Sequence, residues 1–350
     1  MTLTTDIANF AFNAGGINTT GFKRNRIING NMLIDQRNAG ASVTIGVSSS
    51  TYTLDRWCAQ SVSASKFSVQ QNAGSVTPPT GFTKYLGVTS LAATSSGSTD
   101  YYALFQSIEG FNTADLAWGT ASAASVTISF WVRSSLTGSF GAALANSGGS
   151  RSYPFNYTVN AANTWEQKTV TVAGDTSGTW LTDNSTGIYL RFDLGCGSTF
   201  KGTAGTWAAT NYYGVTGAVS VVGTSGATFY VTGVQLEVGS IATPYERQMY
   251  SDQLNQCQRY YVGAKDYYFT VGYDSSYTSQ NSGGMSWEYQ MRAAPSIVIN
   301  SGGMDGHHAV PPTLRAGPVI NGVSFIYSGS GLRNGANCPA YVNFSLSAEL

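Results

Sequence analysis

From Val126 to Arg133 the chain reads Val-Thr-Ile-Ser-Phe-Trp-Val-Arg, and side chains 126, 128, 130 and 132 are all apolar. A period of two places Val126, Ile128, Phe130 and Val132 on one face of an extended backbone, which describes a strand packed on a core. The same alternation returns at Tyr153, Phe155, Tyr157 and Val159, and again at Ile188, Leu190, Phe192 and Leu194. Shorter versions occur at Phe67 and Val69, at Val170 and Val172, and at Val234, Leu236 and Val238. Pro154 interrupts the second run; without an N–H it confines that strand to a sheet edge or an irregular start. Turn-forming stretches such as Asn146-Ser-Gly-Gly-Ser150, Gly174-Asp-Thr-Ser-Gly178 and Gly223-Thr-Ser-Gly226 separate the runs. Strands with one apolar face and no βαβ rhythm require antiparallel sheets packed face to face. The economical solution is a jelly-roll β-sandwich over residues 27–246.

Composition supports an all-β chain. Charged residues are 10% of the 350, against roughly 25% in typical soluble proteins. Helix surfaces are normally covered by Lys, Glu and Arg, whereas a Ser-, Thr-, Asn-, Gly- and Tyr-rich surface suits strands and turns. One segment departs from this. After Pro244, Ser251 is placed to cap a short helix in which Tyr250, Leu254, Cys257 and Tyr261 share a stripe. So short a helix is marginal alone and must pack on something. That stripe is the expected oligomer interface, with Glu246, Arg247, Asp252 and Arg259 pairing between chains. Residues 247–262 thus read as a helical linker at a domain junction. Aromatic strands follow it, and residues 263–350 read as a smaller C-terminal β domain. At the other end, residues 1–26 read as an Asn-, Thr- and Gly-rich arm closing in Lys23, Arg24 and Arg26.

Several function classes are disfavoured. A net charge of zero and a pI near 6.7 give no electrostatic grip on nucleic acid. The start, MTLTTDIANFAFNAGG, lacks the basic flank and long apolar run of a secretory signal, and no run approaches membrane-span length. Cys58, Cys196, Cys257 and Cys338 are far apart, so reduced and mostly buried thiols are expected. His307 and His308 are adjacent and would point to opposite faces of a strand, so no metal and no cofactor are expected. There is no GxSxG, HExxH or GxxxxGK[ST]. Asp55, Glu109, Asp115, Asp175, Asp183 and Asp193 are scattered singly, which reads as solvated or arginine-paired acids rather than a glycosidase pair.

Aromatic residues carry the positive signal. Trp131 lies between Phe130 and Val132 and so points away from the core, and Tyr189 does the same beside Arg191 and Asp193. Trp287 and Tyr289 share a face in the C-terminal domain. An outward ring takes the C–H face of a pyranose while neighbouring amides and carboxylates take its hydroxyls. These four residues are therefore the carbohydrate-binding candidates.

Ile28-Asn-Gly-Asn-Met-Leu-Ile-Asp-Gln-Arg-Asn38, Tyr52-Thr-Leu-Asp-Arg-Trp57, Ser129-Phe-Trp-Val-Arg-Ser134, Gly174-Asp-Thr-Ser-Gly-Thr-Trp180, Thr232-Gly-Val-Gln-Leu-Glu-Val-Gly239 and Gln256-Cys-Gln-Arg-Tyr-Tyr261 occur in that order. Together they resemble tail fibre and receptor-binding virion proteins of tailed bacteriophages, over residues 27–262. The resemblance implies a homotrimeric virion protein with a carbohydrate-binding-like jelly roll and a distal tip. It supplies no catalytic residues. Sustained heptads and repeats are missing, so a short tail fibre or baseplate-attached adhesin fits better than a long shaft. A capsid decoration or cement protein is the alternative, and a polysaccharide depolymerase a third. The expected partners are other virion proteins through the arm and host surface polysaccharide or lipopolysaccharide.

Overall fold

The computed structural model describes residues 23–271, 281–286, 290–304, 313–314, 322–327 and 338–350. Two six-stranded antiparallel sheets form the body. The first runs in the order β1 (Val43–Thr44), β4 (Phe67–Gln71), β5 (Leu86–Ser90), β14 (Thr228–Val238), β7 (Val126–Ser134) and β10 (Glu166–Val172). The second runs β2 (Ser48–Leu54), β3 (Trp57–Ser61), β6 (Tyr102–Glu109), β11 (Thr186–Asp193), β8 (Gly138–Asn146) and β9 (Ser152–Val159). Three hairpins, β2–β3, β4–β5 and β8–β9, stay within one sheet, and the other connections of the body cross between the sheets, as in a jelly roll. Pro154 falls in β9, the outer strand of its sheet, where a missing N–H costs no ladder bond.

The expected apolar faces meet between the sheets. Phe130 of β7 and Phe229 of β14 interleave with Phe192 of β11, with ring centroids 5.2 and 5.8 Å apart. Tyr157 of β9 closes on Phe130 at 4.9 Å. The last strand is longer than the alternation indicates. β14 begins at Thr228, and its register slips between Thr232 and Gln235 around Gly233 at φ 61. This bulge switches the core-facing set from Phe229 and Val231 to Val234 and Leu236. Val238, expected in the core stripe, is the last residue of β14, paired opposite Val126, and is 46% exposed.

The basic cluster is part of the sandwich. Asn25 is buried and donates through Nδ2 to the Val234 carbonyl, while its Oδ1 accepts from the Leu236 N–H. Arg24 lies 3.5 Å from Glu237, and Arg26 pairs with Asp115 at 2.5 Å. The anchoring role expected of residues 1–22 lies outside the described residues.

The one α-helix among the described residues, α1 (Tyr250–Gln258), precedes β15 (Tyr261–Val271). Its N-cap is Met249 with no side-chain capping bond, so the expected cap at Ser251 is not used. The Tyr250–Tyr261 stripe divides. Cys257 is fully buried in its own chain, which leaves it no surface to offer a second copy. Leu254 is half-buried, Tyr250 is 59% exposed, and Tyr261 sits 3.6 Å from the Arg37 guanidinium. The charges are also taken up internally: Arg259 holds Glu109, Glu246 accepts from the Arg24 and Asn25 N–H groups, and Arg247 lies over Phe82.

Beyond α1, β15, β20 (Cys338–Ser347) and β17 (Ser296–Met304) form one small sheet. A second comprises β16 (Asn281–Ser286), β19 (Gly322–Tyr327) and β18 (Thr313–Leu314). Val262, Met291, Val342, Phe344 and Leu346 make a core of their own. This part is locked to the body by Arg56, which is 1% exposed. Its guanidinium lies over Tyr260 at 3.6 Å, donates to the Ser107 carbonyl at 2.5 Å and pairs with Glu349. Arg37 binds the same carboxylate at 2.6 Å. Beside them Asp55 accepts from the Gln36 N–H at 2.6 Å, and Gln36 Nε2 donates to the Tyr261 carbonyl.

Two outcomes follow from this lock. Glu349→Ala strands a buried cation and is expected to lose roughly 3–5 kcal/mol of stability in denaturant unfolding; a loss within experimental error would mean the pair is solvated. Burial pushes the Asp55 carboxyl up to about 7, against the Gln36 bonds and the Arg37 charge. Because the folded pKa lies above the ordinary value of about 4, the folded state holds this proton where the unfolded state has lost it. The associated stability is complete below about pH 4 and is lost as pH rises through about 7. Denaturation midpoints should therefore fall over that interval relative to those of Asp55→Asn, and parallel curves would contradict the assignment.

Candidate functional site

The outward face of the second sheet holds the best-built cluster. On β11, Ile188, Leu190 and Phe192 point inward, so Tyr189, Arg191 and Asp193 point outward. Register places Tyr189 between Ser107 of β6 and Ala145 of β8, and Arg191 between Phe105 and Ala143. The small residues of β8 let another segment approach. Parallel strands β12 (Lys201–Gly202) and β13 (Gly214–Val215) cross over β8 and β9, and a Cβ on Gly141 would meet the Val215 nitrogen at 2.9 Å.

That crossing segment completes the site. The Arg191 guanidinium is flanked by the Tyr213 ring at 4.2 Å and the Tyr189 ring at 4.6 Å. Its Nη1 donates to Asn211 Oδ1 at 2.6 Å. Tyr213 is itself held by Tyr101 and Phe200, and Phe105 meets the Tyr189 ring edge-on at 5.9 Å. Arg191 is 5% exposed, and burial lowers its pKa. Tyr189 stays half-buried. Asp193, next along the face, accepts from the Gly195 and Cys196 N–H groups at 2.7 Å and lies 3.6 Å from Lys201. Burial raises its carboxyl pKa. Beyond it opens a groove of about 810 Å³, lined by Thr94, Ser96, Ser98, Lys201, Thr216 and Ser220 among others. An aromatic ring, a guanidinium, an amide and a hydroxyl-lined groove along one face are suited to binding a polar, ring-shaped ligand.

The other candidates fall elsewhere. Trp131 lies on the outward face of the first sheet, between Gln167 and Thr232. A Cβ on Gly233 would meet both Trp131 and Phe82, and Phe82 packs edge-on to Tyr245 at 5.2 Å. Trp131 and Tyr189 are therefore on opposite sides of the sandwich and cannot share one ligand subsite. Trp287, Tyr289, His307 and His308 lie outside the described residues. Asn211 and Tyr213 escape a strand-by-strand reading because an irregular crossing segment delivers them. Their only local signal is the Asn-Tyr-Tyr run at 211–213.

The scattered carboxylates are committed to partners. Arg151 holds Asp175 with two bonds of 2.7 Å, Arg259 and the Tyr260 hydroxyl hold Glu109, and Asp183 accepts from the Ser185 N–H. Among the described residues no group of three His, Cys, Asp or Glu is arranged to hold a metal. Cys58, Cys196 and Cys257 are buried and free, as expected of reduced thiols. Burial raises all three, Cys58 to about 12. An alkylating reagent at neutral pH should therefore label these three only after unfolding; rapid native labelling of any would show it to be accessible.

No protein-family model matches the sequence, and no curated protein matches it. Solved structures with a similar arrangement include the enzymatically active domain of tailspike protein 4 from bacteriophage CBA120, at 10% identity and a TM-score of 0.31. That match covers 62% of this chain and 22% of the tailspike chain. Another is a carbohydrate-binding module solved with β-1,4-galactotriose, at 10% identity and a TM-score of 0.31, covering 62% of this chain and 100% of that one. A family 11 carbohydrate-binding module from Clostridium thermocellum, solved with a mixed-linked tetrasaccharide, gives 15% identity and a TM-score of 0.28. It is covered in full, against 59% of this chain. No helix of the described residues is long and apolar enough to cross a membrane.

Proposed function

We propose that the protein is a non-enzymatic virion component, a short tail fibre or baseplate-attached adhesin, that holds a phage particle to host surface glycans. The observation that carries the glycan part is the half-buried Tyr189 ring, set beside Arg191 and Asn211 on the outward face of the second sheet. One ring face with adjacent hydrogen-bonding groups is the minimum equipment for a pyranose, and it binds weakly per site. The ordered motifs over residues 27–262 support the virion part. The engagement of the scattered acids by arginines and backbone N–H groups supports a binding role over hydrolysis.

In this reading the protein is a homotrimer whose arm engages other virion proteins, and three copies raise avidity through effective concentration. The contact between copies would use Ile241, Met249 and Tyr250, which are 77%, 76% and 59% exposed. Host envelope polysaccharide immobilised on a sensor should retain the protein, and Tyr189→Ala should weaken retention by about tenfold or more, as for loss of an aromatic anchor. Unchanged binding by that variant would remove the site. Antibody labelling of intact particles should mark the tail end; labelling of heads would favour a cement protein, and release of oligosaccharides would favour a depolymerase.

A further inference from the structure

Arginines in this chain reveal how it treats carboxylates. Arg151 presents its Nε and Nη2 edge to Asp175, and Arg259 presents the same edge to Glu109. Each is a two-pronged, charge-assisted grip. Arg191 is more deeply buried than either, at 5% exposure, yet no carboxylate among the described residues pairs with it. Tyrosine rings lie against its guanidinium, and Asn211 takes Nη1. Among the described residues its Nε and Nη2 have no hydrogen-bond partner, and neither is among the buried atoms sealed from solvent. The nearest acid along the face, Asp193, is engaged by Lys201 and two backbone N–H groups. A buried cation without a counter-ion is costly, and here it leaves open the edge that elsewhere in the molecule grips a carboxylate.

We infer that Arg191 is the recognition point for a carboxylate-bearing sugar, such as a uronate, whose ring stacks on Tyr189. This rests on the glycan-binding reading and narrows it to acidic glycans. The carboxylate supplies the missing counter-ion across Nε and Nη2, and Asn211 and Tyr213 hold the guanidinium in place for it. Neutral sugars gain the stacking alone.

The test is a surface carrying matched pairs of polysaccharides, each uronate- or sialate-bearing member beside its carboxyl-reduced, neutral form, with phosphate-bearing glycans as a third arm. Wild-type protein is expected to bind an acidic member about tenfold or more tightly than its neutral partner. Arg191→Gln should abolish that difference, and a preference for the acidic members that survives in this variant would overturn the assignment to Arg191. Equal wild-type binding to both members of every pair overturns the inference and leaves the glycan reading standing, without recourse to any variant. Preference for phosphate-bearing glycans over carboxylates also overturns it. Binding to no member overturns the glycan reading itself and this inference with it.

Discussion

The buried Arg56 guanidinium is the contact on which the arrangement depends. An ion at 1% exposure is tolerated only if its charge and its N–H groups are answered locally. The answers come from distant parts of the chain: Glu349 near the last described residue, Tyr260 after the helix, and the Ser107 carbonyl on β6. Satisfying one side chain thus pins the C-terminal strands to the end of the sandwich. Arg37, Asp55 and Gln36 extend the same network to Tyr261. The motifs Ile28–Asn38, Tyr52–Trp57 and Gln256–Tyr261 all converge on this point. Trp57 donates to the Asn29 carbonyl, and Asn29 in turn binds the carbonyls of Ile34 and Asp55. Three of the six motifs that carry the phage resemblance therefore build a joint, and the Tyr189–Arg191 cluster lies elsewhere.

A rigid joint and a closed sandwich leave the two outward sheet faces available for function. They are not equivalent. The first is covered in part by the segment carrying Phe82 and by Tyr245, which meet above Gly233 and Trp131. The second is crossed by β13 over β8, β9 and β11, and this crossing segment sets Asn211 and Tyr213 against Arg191 as the wall of a site. Arg56 and Arg191 show the contrast in miniature. One has its charge answered by Glu349, and the other has no carboxylate partner among the described residues.

Much of the fold is legible wherever strands obey strict alternation. Val126 to Val132, Phe155 to Val159 and Ile188 to Leu194 bury the expected side chains, with Tyr153 partly buried against the same core, because period two is a direct consequence of backbone geometry. Pro154 marks an edge for an equally local reason. The bulge in β14 breaks the pattern at Gly233, and nothing short of the three-dimensional pairing reveals that Phe229 and Val231 belong to the same strand. Tyr189 follows from alternation alone, as does Trp131. That they face opposite ways requires knowing which sheet each strand joins. The helix stripe fails at Cys257 because the helix packs sideways onto its own chain. Asn211 and Tyr213 are illegible because an irregular crossing delivers them.

The central claim is that ligand binds on the outward face of the second sheet. Hydrogen–deuterium exchange on the full chain, with and without a host polysaccharide that it retains, tests this directly. Protection is predicted in β11 and in the crossing segment around Asn211 to Val215, with β7 and β10 unchanged. Protection confined to β7 and β10, or to the strands beyond Tyr261, would contradict it.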